Sequence, residues 1–173
     1  EEVGEILNAK DPLWQPFSYT DSATVALGRH LARWTVADGE VVKRCGHEVD
    51  WLGFAIPLRG SFEIECDFTS AHGRDMSFMV AGRHIQPATD GQTLRIGNFR
   101  EHIRDKKLKS PLTALNQWSR FRAVFVDGKL TEFVNGEPVR TRSLARNHDP
   151  WFCLRSWRRS QGAVRDLRIT GTP

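Results

Sequence analysis

Two turn dipeptides in the C-terminal half constrain the fold of this 173-residue chain more than any other feature. Asp127-Gly128 comes after the β-rich run Trp118–Val126, and a second run then leads into Asn135-Gly136. Both dipeptides readily adopt the positive φ angles of a tight hairpin turn. The stretch from Trp118 to Ser143 therefore predicts a meander of three antiparallel strands.

The same signals recur along most of the chain. Trp34–Lys43 predicts a hairpin through Asp38-Gly39. Further strands are predicted for the following apolar or alternating runs: Asp11–Phe17, Trp51–Leu58, Phe62–Phe68, Asp75–Ala81, Gln92–Phe99, Trp151–Trp157 and Ala163–Thr170. With about ten to twelve short strands expected, the pattern is typical of an all-β, two-sheet antiparallel jelly-roll sandwich.

We expect two segments to differ from this pattern. Glu1–Lys10 has apolar residues at helical spacing and predicts a short helix or N-terminal tail, so the sandwich domain is expected to span residues 14–173. Glu101–Ser110 is a run of charges with two apolar residues, and predicts a solvated loop or a single irregular turn. Because Glu1 is not a natural start, we also expect the chain to be either a module excised from a larger protein with flanking domains or a trimmed mature protein.

The strand Phe62–Phe68 carries three acids on one face. Glu63, Glu65 and Asp67 alternate with apolar residues, so a period of two places their carboxylates in a row opposite the core face. Such a row is either a catalytic site or a solvated sheet face that is ion-paired with arginines such as Arg120, Arg122 or Arg168. The many arginines of the chain favour the arginine-paired scaffold.

Composition excludes some classes of protein. The 25 basic residues against 21 acidic ones give a net charge of +4, but the basic residues are dispersed and no nucleic-acid-binding motif occurs. We therefore expect no nucleic-acid partner. No apolar run approaches the roughly 20 residues that span a bilayer, and so no membrane span is expected.

The order of the motifs resembles a known family. The hairpin WTVADGEVVK, the strand GSFEIECDF, the meander WSRFRAVFVDGKLTEFVNGEPV and the terminal strand GAVRDLRITG are similar to the concanavalin A-like lectin/glucanase jelly roll. More narrowly, they resemble 3-keto-disaccharide hydrolase-like domains and uncharacterised planctomycete sandwich domains. The resemblance implies a saccharide or glycoconjugate ligand on the concave face of one sheet or its rim. The sequence leaves the location open and favours an extracellular or periplasmic one over the cytoplasm.

Three functions follow as alternatives from this resemblance. The first is a lectin-like glycan-binding domain, and the second is a glycoside hydrolase of the keto-disaccharide or glucanase type. The third is a structural or protein-interaction module without catalysis. In laminarinase-type glucanases an acid row of this kind holds the nucleophile and the general acid, which would make Glu63, Glu65 and Asp67 catalytic. The usual order of acid lengths is reversed here, since the last acid is the shorter Asp67.

Ligand-binding candidates cluster around the last tryptophan. Trp157 shares a strand face with Arg155 and lies beside Arg159, and an aromatic ring next to arginines suits a sugar. Arg122 is the fourth predicted ligand-binding residue. An alternative role for Trp157 is a ring packed under an arginine by a cation–π contact.

Histidines and cysteines give no further site. The six histidines are scattered without zinc-binding spacing, and no dense set of oxygen ligands for calcium occurs, so neither a metal nor a cofactor is predicted. Cys66 and Cys153 fall in predicted strands and are expected to be small buried hydrophobes. A disulfide between them is left open by the sequence.

Overall fold

The chain folds as an all-β sandwich of two antiparallel sheets. In the computed structural model, the described residues are 5–7, 13–18, 33–45, 49–69, 76–88, 90–98, 102–109, 117–157 and 162–172. They contain fifteen strands. Within these ranges there is no helix long and apolar enough to cross a membrane.

One sheet has eight strands and the other has seven. The eight-stranded sheet contains, in spatial order, β1 (Glu5–Leu7), β3 (Arg33–Ala37), β4 (Glu40–Cys45), β15 (Ala163–Gly171), β6 (Phe62–Thr69), β11 (Ser119–Val126), β12 (Lys129–Val134) and β13 (Glu137–Ser143). The seven-stranded sheet contains β10 (His102–Lys107), β9 (Thr93–Gly97), β8 (Arg83–Pro87), β7 (Met76–Val80), β14 (Phe152–Trp157), β5 (Val49–Phe54) and β2 (Trp14–Ser18).

The core lies between the sheets and is rich in aromatic rings. Phe121 of β11 stacks on Phe78 of β7 across the two sheets, with ring centroids 4.2 Å apart and an interplanar angle of 7°. Phe68 of β6 meets the same Phe78 ring edge-on at 5.1 Å. The predicted interior residues Phe62, Ile64, Phe68, Phe121, Ala123 and Phe125 are buried, and Leu167 and Ile169 pack half-buried against them.

An ion pair is buried inside the sandwich near the β13 edge. Glu132 of β12 is fully buried, and the Arg140 guanidinium on the neighbouring β13 donates hydrogen bonds to both of its carboxylate oxygens. Arg142 reaches across to the other sheet, where it donates to the backbone oxygens of Val80 and Ala81. Burial lowers the pKa of Arg142 to about 10, and the nearby Glu132 opposes that shift. These contacts tie the end of β7 to the eight-stranded sheet.

The three hairpins signalled by Asp-Gly and Asn-Gly are confirmed. Both residues of each dipeptide have positive φ, for example 49° at Asn135 and 79° at Gly136. The structure adds a hairpin that the sequence analysis missed, in which Ala81 and Gly82 turn β7 into β8 with φ of 47° and 72°. Alanine is rarely found at positive φ, so Ala81-Gly82 was not recognised as a tight turn.

Two sequence predictions are wrong. Residues 5–7, within the predicted helix, form β1 and pair with β3, and the rest of that helix lies outside the described residues. The predicted loop Glu101–Ser110 contains β10, a strand at the edge of the seven-stranded sheet. Strands at the edge of a sheet often carry many charged residues, because the charges prevent pairing with other chains. A charged edge strand therefore resembles a solvated loop in its sequence.

Candidate functional site

The acidic row lies on the outer face of the eight-stranded sheet, and arginines of β11 hold it. The Arg122 Nε donates to Glu63 Oε1 at 2.6 Å. Arg120 bridges the other two acids, with its guanidinium nitrogens 2.9 Å from Glu65 Oε2 and 3.0 Å from Asp67 Oδ1. The hydrogen bond from Arg122 lowers the pKa of Glu63, which is opposite to the raised pKa that proton donation requires.

A β-bulge in β15 brings two more arginines to the same row. The register shifts between Arg165 and Arg168, and Asp166 between them has a φ of 51°. Residues three apart on a regular strand point to opposite faces of the sheet. The bulge instead places both arginines on the face that carries the acids of β6. Arg165 lies 3.7 Å from Asp67, and Arg168 lies 3.8 Å from Glu65. The arginines expected to pair with the acids if the row is structural, Arg120, Arg122 and Arg168, are therefore present. A catalytic role for the row stays a prediction.

A shallow groove of about 440 Å³ lies beside the row on β11 and β12. Val124 and Thr131, a cross-strand pair with short side chains, lie between Arg122 and Phe133 at one end and Lys129 at the other. The Arg122 guanidinium sits 5.6 Å from the centre of the Phe133 ring. The groove is open, and its charged lining residues are Arg122, Lys129 and Asp127.

The outer face of the seven-stranded sheet is different, because polar side chains there are buried. Strand pairing aligns one residue from each of six strands, β5, β14, β7, β8, β9 and β10, into a single row across the sheet. We call this set the transverse row; in spatial order it contains Trp51, Arg155, Ser77, Gln86, Arg95 and Asp105. The first four are buried, Arg95 is half-buried and Asp105 is exposed.

Arg155 contacts two other residues of the transverse row. Its guanidinium lies 5.5 Å from the centre of the Trp51 ring, and its Nη1 donates to Gln86 Oε1 at 3.1 Å. Burial lowers the pKa of Arg155 to about 10, so the group still carries its charge at neutral pH. An aromatic ring, a guanidinium and a carboxamide thus lie side by side on three elements of one sheet.

The neighbouring row on the same face is more apolar. Met79 and Cys153 pack with Trp51 into a small cluster that is separate from the main core. His84, opposite Met79, is buried, and its Nδ1 lies 2.8 Å from the backbone oxygen of Asn98. The two rows together give this face a hydrophobic floor next to hydrogen-bonding groups, a composition typical of ligand sites.

The predicted ligand-binding residues are not brought together as a set. Arg155 lies in the transverse row, but Arg122 lies on the outer face of the other sheet, so these two cannot share one site. Trp157 ends β14, two residues from Arg155, and its side chain is not described. Arg159 lies outside the described residues.

Several residues of the transverse row were missed from the sequence. Ser77 and Gln86 are single polar residues within apolar strands, and only the pairing of β7 and β8 with their neighbours shows that they share a face with Arg155. A polar residue at alternate positions of a buried strand was the available signal. The strand that contains Trp51 was predicted, but the sheet face on which Trp51 lies was not.

Metal and disulfide chemistry have no support among the described residues. No group of three or more His, Cys, Asp or Glu side chains that could hold a metal ion occurs there. Asp90 instead caps its own turn by accepting hydrogen bonds from Gln92 and Thr93. Cys66 and Cys153 are both free thiols, so the disulfide left open by the sequence does not form.

Comparison with known sequences gives little about function. Residues 122–173, which include most of β11 and all of β12 to β15, match the model of a family described as a protein of unknown function, DUF1581. The match covers less than half of the chain. No curated protein matches the sequence.

Comparison with solved structures shows the fold. The carbohydrate binding module CBM66 from Bacillus subtilis has a TM-score of 0.63 at 9% identity, with 94% of this chain and 98% of that chain covered. The Ca²⁺/Man-bound exoplasmic/lumenal domain of VIP36 has a TM-score of 0.61 at 7% identity, covering 95% and 85%. A glycosyl hydrolase-like protein from Parabacteroides distasonis has a TM-score of 0.54 at 13% identity, covering 81% and 83%. The chain therefore has a jelly-roll sandwich fold that it shares with lectin and carbohydrate-binding domains.

Proposed function

We propose that this domain binds glycans, and that the transverse row is its binding face. The observation that carries the proposal is the cross-strand contact of Trp51, Arg155 and Gln86 on one sheet face. An indole offers an apolar surface to the C–H face of a sugar ring, while guanidinium, carboxamide and hydroxyl groups bind its hydroxyls. The fold shared with carbohydrate-binding structures supports the same function at the level of architecture.

Burial of the row determines how a ligand would reach it. Trp51 and Ser77 are fully buried and Arg155 nearly so, whereas Arg95 is half-buried and lies toward the β10 edge. A glycan would first contact the Arg95 end and gain access to Trp51 only in a more open conformation. Because that open state must be populated, the apparent affinity would be weaker than the intrinsic affinity of the open face.

Catalysis by the acidic row is not part of the proposal. The Glu63 carboxylate is hydrogen-bonded to Arg122 and has a lowered pKa, and Arg120 occupies both Glu65 and Asp67. A retaining glycosidase needs one of its acids protonated near neutral pH, and the hydrogen bond from Arg122 opposes protonation of Glu63. We propose instead a concanavalin A-like lectin domain with saccharide ligands, within a larger extracellular or periplasmic protein.

A glycan array tests the proposal with matched variants. Wild type should bind a subset of glycans, and Arg95→Ala and Arg155→Lys should weaken that binding at least tenfold, as measured by calorimetry on the best array ligand. Arg168→Ala is the control, because Arg168 is 71% exposed on the opposite sheet. Circular dichroism and thermal unfolding should show that each variant is folded. Absence of binding to every glycan, or a loss confined to Arg168→Ala, would refute the proposal.

A further inference from the structure

An exposed tryptophan lies on the same sheet face as the transverse row. Trp151 comes directly before β14, and its side chain is 43% exposed. The next residue, Phe152, is fully buried in the core between the sheets. Because successive residues of a strand point to opposite faces, Trp151 shares the outer face with Cys153 and Arg155. Its backbone continues the sheet, since its carbonyl oxygen accepts a hydrogen bond from the Ala81 amide at 3.2 Å.

Two further residues align with Trp151 across the sheet. Cys153 pairs with Gly53. Two residues along each strand, the antiparallel register places Ala55 opposite Trp151. The Ala55 amide also donates to the Leu13 backbone oxygen at 2.7 Å, so Leu13 lies on its other side. We call Leu13, Ala55 and Trp151 the Trp151 row, in which Leu13 is 46% exposed.

The Trp151 row is open to solvent where the rows beside it are not. Trp51 in the transverse row and Met79 in the neighbouring row are fully buried, and Arg155 is nearly so. Trp151 lies four residues from Arg155, or about 13 Å along an extended strand. A glycan can therefore contact Trp151 without any opening of the fold, in addition to the Arg95 end, and a short oligosaccharide can reach from there toward Arg155.

A carboxylate is held beside the exposed ring. The Trp151 amide donates to Asp149 Oδ1 at 3.0 Å. Burial raises the pKa of the Cys153 thiol to about 12, and the Asp149 charge adds to that shift, so the carboxylate lies near the outer face. An indole packs against the apolar C–H groups of a sugar, and sugar hydroxyls donate to carboxylate oxygens. Both kinds of contact are available at this end of the sheet.

The exposed area suits one sugar ring better than a protein partner. An exposed fraction of 43% leaves roughly 100 Å² of the Trp151 side chain accessible, since a tryptophan offers up to about 250 Å². Leu13 and Ile56 are smaller side chains, 46% and 36% exposed, and each adds less. Each partner of a stable protein complex contributes about 800 Å². The patch is therefore too small to hold a second copy of the chain by itself.

We infer that the Trp151 row is a second subsite of the glycan-binding face, and that one neutral hexopyranose ring of the ligand stacks there on the Trp151 indole. This inference rests on the proposed glycan-binding function and extends the binding face beyond the transverse row. The ring presents an apolar C–H face to the indole, and hydroxyl groups at its edge donate to Asp149. The three residues of the row are uncharged, which fits a neutral sugar.

Calorimetry on a neutral oligosaccharide tests the subsite. The titrant is the neutral glucose-, galactose- or mannose-based oligosaccharide that wild type binds most tightly on a glycan array. Trp151→Ala should weaken this binding by about tenfold or more, because the stacking surface is lost, whereas Trp151→Phe should retain most of it. The loss should be the same at low and high salt, since salt screens charges and not apolar contacts. Val126→Ala is the control and should change nothing, because Val126 is 51% exposed on the eight-stranded sheet.

The outcomes separate this inference from the proposed function. If wild type binds acidic glycans alone, or if Trp151→Ala binds the oligosaccharide as tightly as wild type, the inference fails and the proposed function stands. A wild-type dimer that Trp151→Ala dissociates in analytical ultracentrifugation would assign the patch to a second copy and also overturn the inference. Failure of wild type to bind any glycan on the array would overturn both. Thermal unfolding should show that every variant is folded, as expected for an exposed side chain.

Discussion

Replacing Glu132 tests how the interior of the sandwich is stabilised. Glu132 is fully buried, and its carboxylate accepts two hydrogen bonds from Arg140, one of them 2.6 Å from Nη2 to Oε1. Glu132→Gln keeps the size of the side chain but leaves the Arg140 charge without its counterion. Removing one partner of a buried pair costs roughly 3–5 kcal/mol in the free energy of unfolding.

A second arginine raises the expected cost. Arg142 lies close enough for the Glu132 charge to oppose the lowering of the Arg142 pKa by burial, so Glu132→Gln also removes support from Arg142. We therefore expect a loss near the upper end of that range. For a domain of this size, the melting temperature should fall by roughly 10–20 °C, because each 1 kcal/mol shifts it by about 2–4 °C.

Urea denaturation of three proteins measures this cost. Wild type and Glu132→Gln give the single-variant loss, and the double variant Glu132→Leu with Arg140→Met removes both charges. The double variant should be considerably more stable than Glu132→Gln, because an apolar pair of similar volume often replaces a buried ion pair at little cost. A loss below about 1 kcal/mol for Glu132→Gln, or a double variant no more stable than the single one, would refute the reasoning.

Three further predictions concern the surface pair, the core and the thiols. Glu63→Gln should cost about 0–1 kcal/mol at neutral pH, since Arg122 is exposed. The hydrogen bond from Arg122 holds the pKa of Glu63 below its ordinary 4.5. The stability that Glu63 contributes is therefore complete above pH 4.5 and is lost as the pH falls through the lowered pKa. Melting temperatures of variant and wild type that still differ in strong acid would contradict this. Phe125→Ala should cost about 3–5 kcal/mol in chemical denaturation, and a loss under about 1 kcal/mol would place the ring outside the core. Burial raises the pKa of the Cys66 thiol, and that of the Cys153 thiol to about 12, so mass spectrometry should find both unlabelled by a thiol reagent until the chain unfolds; labelling in the native state would count against their burial.

The sequence predicted the fold well where local turn chemistry determines strand pairing. Asp127-Gly128 and Asn135-Gly136 fix β11 to β13 because their backbones favour the tight turn. The alternating strand Phe62–Phe68 likewise gave the buried face correctly. The turn at Ala81-Gly82 was missed, because an alanine gives no local sign of positive φ.

The candidate site could be predicted only in fragments. The alternation of Glu63, Glu65 and Asp67 placed three acids on one face, and the arginines of β11 were correctly named as cross-strand partners. The bulge at Asp166, which brings Arg165 to the same face, leaves no pattern in the sequence. Arg155 was identified, but its row requires the order of β5, β14, β7 and β8, which is a property of the whole sheet.

Because strand order is a property of the whole sheet, the sequence grouped ligand-binding candidates that lie on different sheets. Arg122 and Arg155 are both arginines in alternating strands, and nothing local to either residue shows that they belong to different sheets. The structure separates them by the full thickness of the sandwich core. Which face binds a ligand is therefore the central question that the fold raises.

Hydrogen–deuterium exchange with and without a bound glycan answers that question most directly. The account predicts slower exchange on ligand binding in β7, β8, β9 and β14, the strands that carry the transverse row from Arg155 to Arg95. Exchange in β6, β11 and β12 should be unchanged. Protection confined to β6, β11 and β12, next to the acidic row and its groove, would contradict the assignment of the binding face to the seven-stranded sheet.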